Sequence, residues 1–134
     1  MHEGWSDSNG NLGMAIDFED AKGLKHYPSI SGAYFAAKLG VAEHLFNKQR
    51  KAAALVLREI RPEYVMPAGV WQIREGVRQA LRGRPNQFDS LKKALDFVCI
   101  DSSISSNEWI SKSMIYEIMI QQKKITDFIK GNML

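Results

Sequence analysis

Apolar and polar residues recur along the chain with two different periods, and each period predicts one kind of secondary structure. From about residue 31 to 47 the apolar positions repeat every three or four residues, the period of one helix face. The same period predicts three further helices, beginning near residues 68, 90 and 106. Short apolar runs at 12–18 and 52–60 are typical of strands. We therefore predict an α+β fold, mainly helical, with about four helices and one or more short strands.

Residues that favour helix N-termini locate the starts of these helices more precisely. Ser29 or Ser31 is a suitable N-cap for the first helix, which the pattern extends to about residue 47. The second helix follows Pro67, a residue favoured in the first helical turn. Ser105 and Glu108 have the spacing of a capping box for the last helix. The chain is accordingly divided into an irregular lead-in (1–27, with a possible strand), a globular domain (28–120) and a C-terminal peptide (121–134).

Composition limits the class of protein. The chain has 134 residues, 45% of them hydrophobic, which suits a single globular domain. No apolar run approaches the length of a membrane span, and no signal peptide is visible, so we expect a cytoplasmic protein. The lone Cys99 lies among apolar residues and indicates a buried core position in a reducing compartment. The three histidines show no ligand spacing, so neither a metal nor another cofactor is expected.

The C-terminal peptide carries the most specific pattern in the chain. Gln122 is followed three residues later by Ile125, and three residues after that by Phe128 and Ile129. One helical turn places the last three on a single face. This is the spacing of the peptide that docks on the sliding clamp PCNA, although the usual second aromatic is replaced by Ile129. The alternative is that these apolar residues close the packed face of the last helix.

Basic residues cluster in the middle third of the chain, so the net charge of +3 is unevenly spread along the sequence. A tryptophan beside arginines at helical spacing can stack on a base while the guanidinium groups bind phosphate. DNA is therefore a second candidate partner. The candidate contacts are Arg58, Arg61, Trp71, Arg74 and Arg78. The competing interpretation is that the arginines form ion pairs within the chain and that the tryptophan is packing.

Two other functions remain open from the residues alone. Glu59, Glu63 and Glu75 suggest a metal-dependent nuclease, but the surrounding arginines oppose a divalent cation. The second alternative is an interaction domain without chemistry of its own. No catalytic residue can be assigned, and an enzyme is the less favoured interpretation.

Three segments resemble a known family in the order of their charged and aromatic residues. They are Pro28–Leu39, Leu55–Tyr64 and Gly69–Glu75. Together they resemble the C-terminal part of the archaeal Nre DNA-repair proteins, which also end in a clamp-binding peptide. The resemblance implies a role in DNA repair together with PCNA. It supplies no active site, and the N-terminal region with metal-binding cysteines found in some Nre proteins has no counterpart in this sequence.

Overall fold

The computed structural model describes residues 13–61, 63–64 and 69–121, and within them the fold is helical. Five α-helices and one short 3-10 helix follow one another along the chain. They are α1 (Gly32–Asn47), α2 (Val70–Arg82), α3 (Leu91–Val98), the 3-10 helix (Cys99–Asp101), α4 (Ser106–Lys112) and α5 (Met114–Gln121). None of these helices is long and apolar enough to cross a membrane.

The predicted α+β class is wrong, because the described residues form no strand and no sheet. The only bridge described joins Asp20 to Gly23 and is isolated. The run at 52–60 has no regular secondary structure, although its exposure alternates from Leu55 to Ile60 as that of a half-buried strand would. A strand also needs a neighbour for its backbone hydrogen bonds, and local alternation cannot supply one. The pattern therefore identified the alternating burial and not a paired strand.

Helix α1 begins where the sequence indicated, but it is capped differently. Ser31 is the N-cap residue, yet its hydroxyl lies 3.2 Å from the Tyr27 hydroxyl and caps no helical N–H. The Asp17 carboxylate instead accepts hydrogen bonds from the backbone N–H groups of Ser29 and Ile30, both at 2.8 Å. Asp17 thereby fixes the turn that leads into α1.

Small residues allow α1 and α2 to approach closely. Gly32, Ala36 and Gly40 recur every four residues and so lie on one face of α1. A Cβ atom at Gly32 would lie 3.0 Å from Val70, and one at Gly40 would lie 3.0 Å from Val77. Val70 and Val77 of α2 thus fill the space that a side chain at Gly32 or Gly40 would occupy. Ala36 is among the few apolar residues that are buried.

The capping box predicted for the last helix is confirmed, but the single helix is in fact two. The Ser105 hydroxyl accepts from the Glu108 N–H, and the Glu108 carboxylate accepts from the Ser105 N–H. Helix α4 ends at Lys112, because the backbone of Ser113 is extended. The buried Ser113 then accepts a hydrogen bond from the Tyr116 N–H at 3.2 Å and starts α5.

The chain divides into two compact units. The first comprises Met1–Ala52 and Pro62–Arg84, with α1 and α2; the second comprises Ala53–Arg61 and Pro85–Leu134, with the remaining helices. Both have small cores. Among the described apolar residues only Ala36, Leu95 and Ile104 are buried. Cys99, predicted to be a core residue, is half-buried, and this burial raises the pKa of its thiol.

Candidate nucleic-acid interface

Helix α2 positions three of the five predicted DNA contacts. This 13-residue helix is strongly amphipathic, with valine, isoleucine and leucine side chains on one side. Gly32 and Gly40 of α1 receive Val70 and Val77, so the apolar side is the one packed on α1. Trp71, Arg74 and Arg78 recur at three- and four-residue intervals and share a second face. The helix therefore presents an indole and two guanidinium groups in one row.

Trp71 is the exposed end of this row. It stands in the first turn of α2 with 61% of its surface accessible. Its indole lies beside the backbone of Gly69, where an added Cβ would come within 2.9 Å of the ring. Tyr64 is also 40% exposed, and its hydroxyl donates to the Gln72 side chain at 2.9 Å. An exposed indole of this kind offers a face on which a base can stack.

Arg78 is held by two carboxylates. Its Nε and Nη2 atoms donate to the two carboxylate oxygens of Glu43 at 2.7 and 2.6 Å, and Nη1 donates to Glu75 at 2.5 Å. The hydrogen bonds that Arg78 donates to Glu43 and then to Glu75 raise the pKa of Arg78, and Arg78 in turn lowers the pKa of both carboxyl groups. This bidentate pair fastens α2 to α1. Three of the five N–H donors of Arg78 are used in this way, and two flanking carboxylates repel an incoming phosphate.

Arg74 occupies an intermediate environment. Its side chain is 38% exposed, and its Nε lies 3.5 Å from a Glu75 carboxylate oxygen. That nitrogen is shielded from solvent and makes no hydrogen bond in the part of the chain that the structure describes. Because Glu75 is already bonded to Arg78, Arg74 has the weaker hold on the shared carboxylate. Of the two arginines in the row, Arg74 is the one better placed to bind an incoming anion.

The remaining two candidates, Arg58 and Arg61, lie on the segment Ala53–Arg61 of the second unit. Arg58 is exposed. Arg61 is also exposed, and its Nη2 donates to the backbone carbonyl of Asp101. Glu59, between them, accepts hydrogen bonds from the hydroxyl and the N–H of Ser103, and these lower its pKa. The segment is thus tied to the loop after the 3-10 helix.

Two of the three carboxylates considered for a nuclease have protein partners. Glu59 is bonded to Ser103 and Glu75 to Arg78, while Glu63 is exposed. Within residues 13–61, 63–64 and 69–121 no group of three or more histidine, cysteine, aspartate or glutamate residues is placed to hold a metal ion. The geometry therefore gives Glu59 and Glu75 structural contacts and adds nothing in favour of cleavage.

The clamp peptide lies outside the described residues. Gln122, Ile125, Phe128 and Ile129 follow the last described residue, Gln121, so their assignment remains a prediction from the sequence.

Sequence reasoning did not identify Glu43. This residue is the one acidic residue of α1 and lies 35 positions from Arg78, so the spacing gives no indication of the pair. A cavity of about 180 Å³ lies beside it, lined in part by His44, Asn47 and Arg82. A single acidic residue in a mostly apolar helix was the one signal that could have drawn attention to this position.

Comparison with known proteins places this chain in a family. A family model described as the C-terminal part of archaeal Nre matches residues 19–128. The chain therefore belongs to the Nre family, and the resemblance noted from its three segments is confirmed.

Individual relatives agree with this assignment. The chain is 40% identical over 105 residues to DNA repair protein NreA of Archaeoglobus fulgidus, and 38% identical over 104 residues to DNA repair protein NreB of the same organism. Each match covers 78% of this chain but only 26% or 27% of the relative. A third relative, DNA repair protein NreA of Haloferax volcanii, is 44% identical over 78 residues, which is 58% of this chain and 19% of the relative. No solved structure matches significantly.

Proposed function

We propose that this chain acts in archaeal DNA repair as an accessory domain that binds the sliding clamp PCNA and contacts DNA. The observation that carries the proposal is membership in the Nre family, whose relatives are named DNA repair proteins. The chain spans about a quarter of the length of the first two of these relatives, so the repair role is carried over as a proposal. We place the protein in the cytoplasm, where archaeal DNA is found.

The clamp is proposed to bind the tail through Gln122, Ile125, Phe128 and Ile129. The family match extends to residue 128, so it includes the tail as far as the proposed aromatic anchor. Lysines flank the apolar residues on both sides and would suit an acidic partner surface. An aromatic side chain that fills a pocket usually contributes most of the binding energy of such a peptide.

Calorimetry against an archaeal PCNA tests the clamp proposal. Phe128→Ala should weaken binding by about thirtyfold or more, because the anchor would be lost. Leu134→Ala is the matched control, since it shortens an apolar side chain in the same tail but outside the motif. Equal affinities for the native chain and the Phe128→Ala variant would refute the assigned anchor.

The DNA contact is proposed to centre on Trp71 and Arg74 of the first unit. Arg58 and Arg61 of the second unit are proposed as a separate DNA contact. The exposed indole and the weakly held guanidinium group support this choice. Arg78 contributes mainly by fixing α2 on α1, because its donors are bonded to Glu43 and Glu75.

Salt dependence distinguishes a phosphate-binding surface from an interaction domain without DNA contacts. If Arg74 binds one phosphate, Arg74→Ala should reduce the slope of log affinity against log salt by about 0.7 to 0.9. Lys25→Ala removes an equal charge at an exposed position and should leave the slope unchanged if Lys25 is away from the interface. A flat salt dependence of the native chain would instead favour the interaction domain.

Cleavage assays address the nuclease alternative. DNA incubated with the protein and Mg²⁺ or Mn²⁺ should stay intact, because Glu59 and Glu75, two of the three candidate carboxylates, are engaged by protein groups. Metal-dependent cleavage that is lost in Glu59→Gln would overturn this expectation and make the protein an enzyme.

A further inference from the structure

The indole of Trp71 lies against Gly69 along one part of its ring system. A Cβ atom added at Gly69 would be 2.9 Å from Cδ1, 3.0 Å from Nε1 and 4.0 Å from Cγ of the indole. All three atoms belong to the five-membered ring, so this ring is the part held by the backbone. Because 61% of Trp71 is accessible, most of the remaining aromatic surface is open to solvent.

Gly69 permits this contact because it has no side chain. Its φ of −74° and ψ of 158° are open to residues with side chains, so the backbone conformation alone does not call for glycine. An alanine there would bring its Cβ closer to the indole than atoms in van der Waals contact normally approach, and the indole would have to move. Gly69 is therefore a positioning residue for Trp71.

The arginines beside Trp71 are accompanied by carboxylates. Arg74, one helical turn further along α2, lies 3.5 Å from a carboxylate oxygen of Glu75. Arg78 is bonded to Glu75 and also to Glu43. Binding to duplex DNA depends strongly on the number of phosphates that basic residues neutralise. This surface is therefore better suited to stacking than to holding a phosphate backbone by charge alone.

Stacking on a protein side chain requires a base with an accessible face. Within a duplex, neighbouring base pairs cover both faces of each base, so the stack must be opened before an indole can bind there. In a single strand the bases can turn outward, and aromatic side chains bind them with little dependence on sequence, since every base has a π face. An indole that is held at one end and open elsewhere fits an unpaired base.

We propose that Trp71 stacks on an unpaired base, so that α2 binds single-stranded DNA in preference to duplex DNA. Arg74 lies on the same face and binds a phosphate near the stacked base. Little sequence preference is expected, because stacking does not read the edges of the bases. This inference rests on the DNA contact proposed above and specifies the form of DNA that the contact recognises.

Fluorescence anisotropy tests the preference with the full chain and a labelled oligonucleotide, either single-stranded or annealed to its complement. The native chain should bind the single strand more tightly. Trp71→Ala should weaken binding to the single strand by about five- to hundredfold and leave binding to the duplex nearly unchanged. Trp71→Phe keeps an aromatic ring and should retain most of the affinity. Phe46→Ala is the matched control, since it removes an aromatic side chain that is 74% exposed on α1.

Salt dependence separates the stacking contact from charge. Trp71→Ala should lower the single-strand affinity by a similar factor at every salt concentration, because no ion pair is lost. Arg74→Ala should instead reduce the slope of log affinity against log salt. Gly69→Ala should also weaken single-strand binding without a change of slope, although Trp71 is retained. Circular dichroism checks that the variants keep their helices.

The outcomes separate this inference from the proposed function. If the native chain binds neither form of DNA, the DNA contact itself is refuted, and the inference with it. If the native chain binds DNA but Trp71→Ala weakens both forms equally or neither, the DNA contact stands and the preference for an unpaired base is overturned. A loss in Trp71→Ala that is confined to the single strand, with affinity restored in Trp71→Phe, would support stacking.

Discussion

Single carboxylates join parts of this chain that are distant in sequence. Asp17 holds the turn at Ser29, Glu43 holds Arg78, and Glu59 holds Ser103, across 12, 35 and 44 positions. Sequence reasoning noticed only Glu59, and for its possible chemistry. A hydrogen bond between remote residues depends on how the chain folds back, so local spacing cannot reveal it.

Asp17 gives a prediction for pH-dependent stability. Its partial burial opposes the charged form, but the hydrogen bonds from Ile30 and Ser29 outweigh that effect and lower its pKa. A lowered pKa means that the carboxylate stabilises the fold above the usual carboxyl range and that this contribution is lost as the pH falls through the lowered value. Asp17→Asn should therefore cost about 1 to 3 kcal/mol of unfolding free energy at pH 7.

Urea denaturation at several pH values measures this effect. The difference between the native chain and Asp17→Asn should shrink as the pH is lowered from 7 towards 3. Asp89→Asn is the control, because Asp89 is exposed and has a surface pair with Lys93, which contributes little. A difference that stays constant with pH would contradict the assigned role of the Asp17 charge.

Secondary-structure elements were predictable where their signals are local. The helical period and the capping residues located α1, α2, α3 and the start of α4, because both act within a few residues. The predicted strands failed because pairing is not a local property. The break at Ser113 was missed because Ile110, Met114 and Ile118 keep a helical period across it. Only the buried hydroxyl of Ser113 and its bond to Tyr116 show that a new helix begins.

The contact between α1 and α2 can be tested with two glycines. A Cβ at Gly40 would meet Val77 at 3.0 and 3.2 Å, whereas one at Gly76 would meet nothing within 4 Å. Both glycines lie inside helices, so alanine improves helix propensity equally at the two sites. Gly76→Ala should stabilise the protein by about 0.5 to 1 kcal/mol, and Gly40→Ala should be less stable than Gly76→Ala by about 1 kcal/mol or more.

Thermal and urea unfolding of the two alanine variants measure the contrast. The pair serves as its own control, since the chemical change is identical and only the surroundings differ. Equal gains in stability at both positions would show that α1 and α2 do not approach as closely as described.

At the scale of the molecule, the described residues bury little apolar surface for a chain that is 45% hydrophobic. The sequence predicted a single globular domain over 28–120. The structure groups the chain into two compact units, and the predicted domain bounds remain a prediction. Within the candidate site, helical spacing alone predicted that Trp71, Arg74 and Arg78 form a row on α2. The engagement of Arg78 could not be predicted in this way, because its partner lies on another helix.

The two carboxylates bonded to Arg78 change how much positive charge α2 presents to a partner. Arg74 and Arg78 carry two positive charges, and Glu43 and Glu75 carry two negative charges, so this group offers a polyanion no net positive charge, although the row of arginines on α2 suggests otherwise. A formal tally of lysines and arginines thus overstates the attraction that this side of the helix offers. Replacing Glu43 by a neutral residue would strengthen that attraction with one substitution and without further arginines. It would also weaken the contact between α1 and α2, because Arg78 would lose its partner on α1.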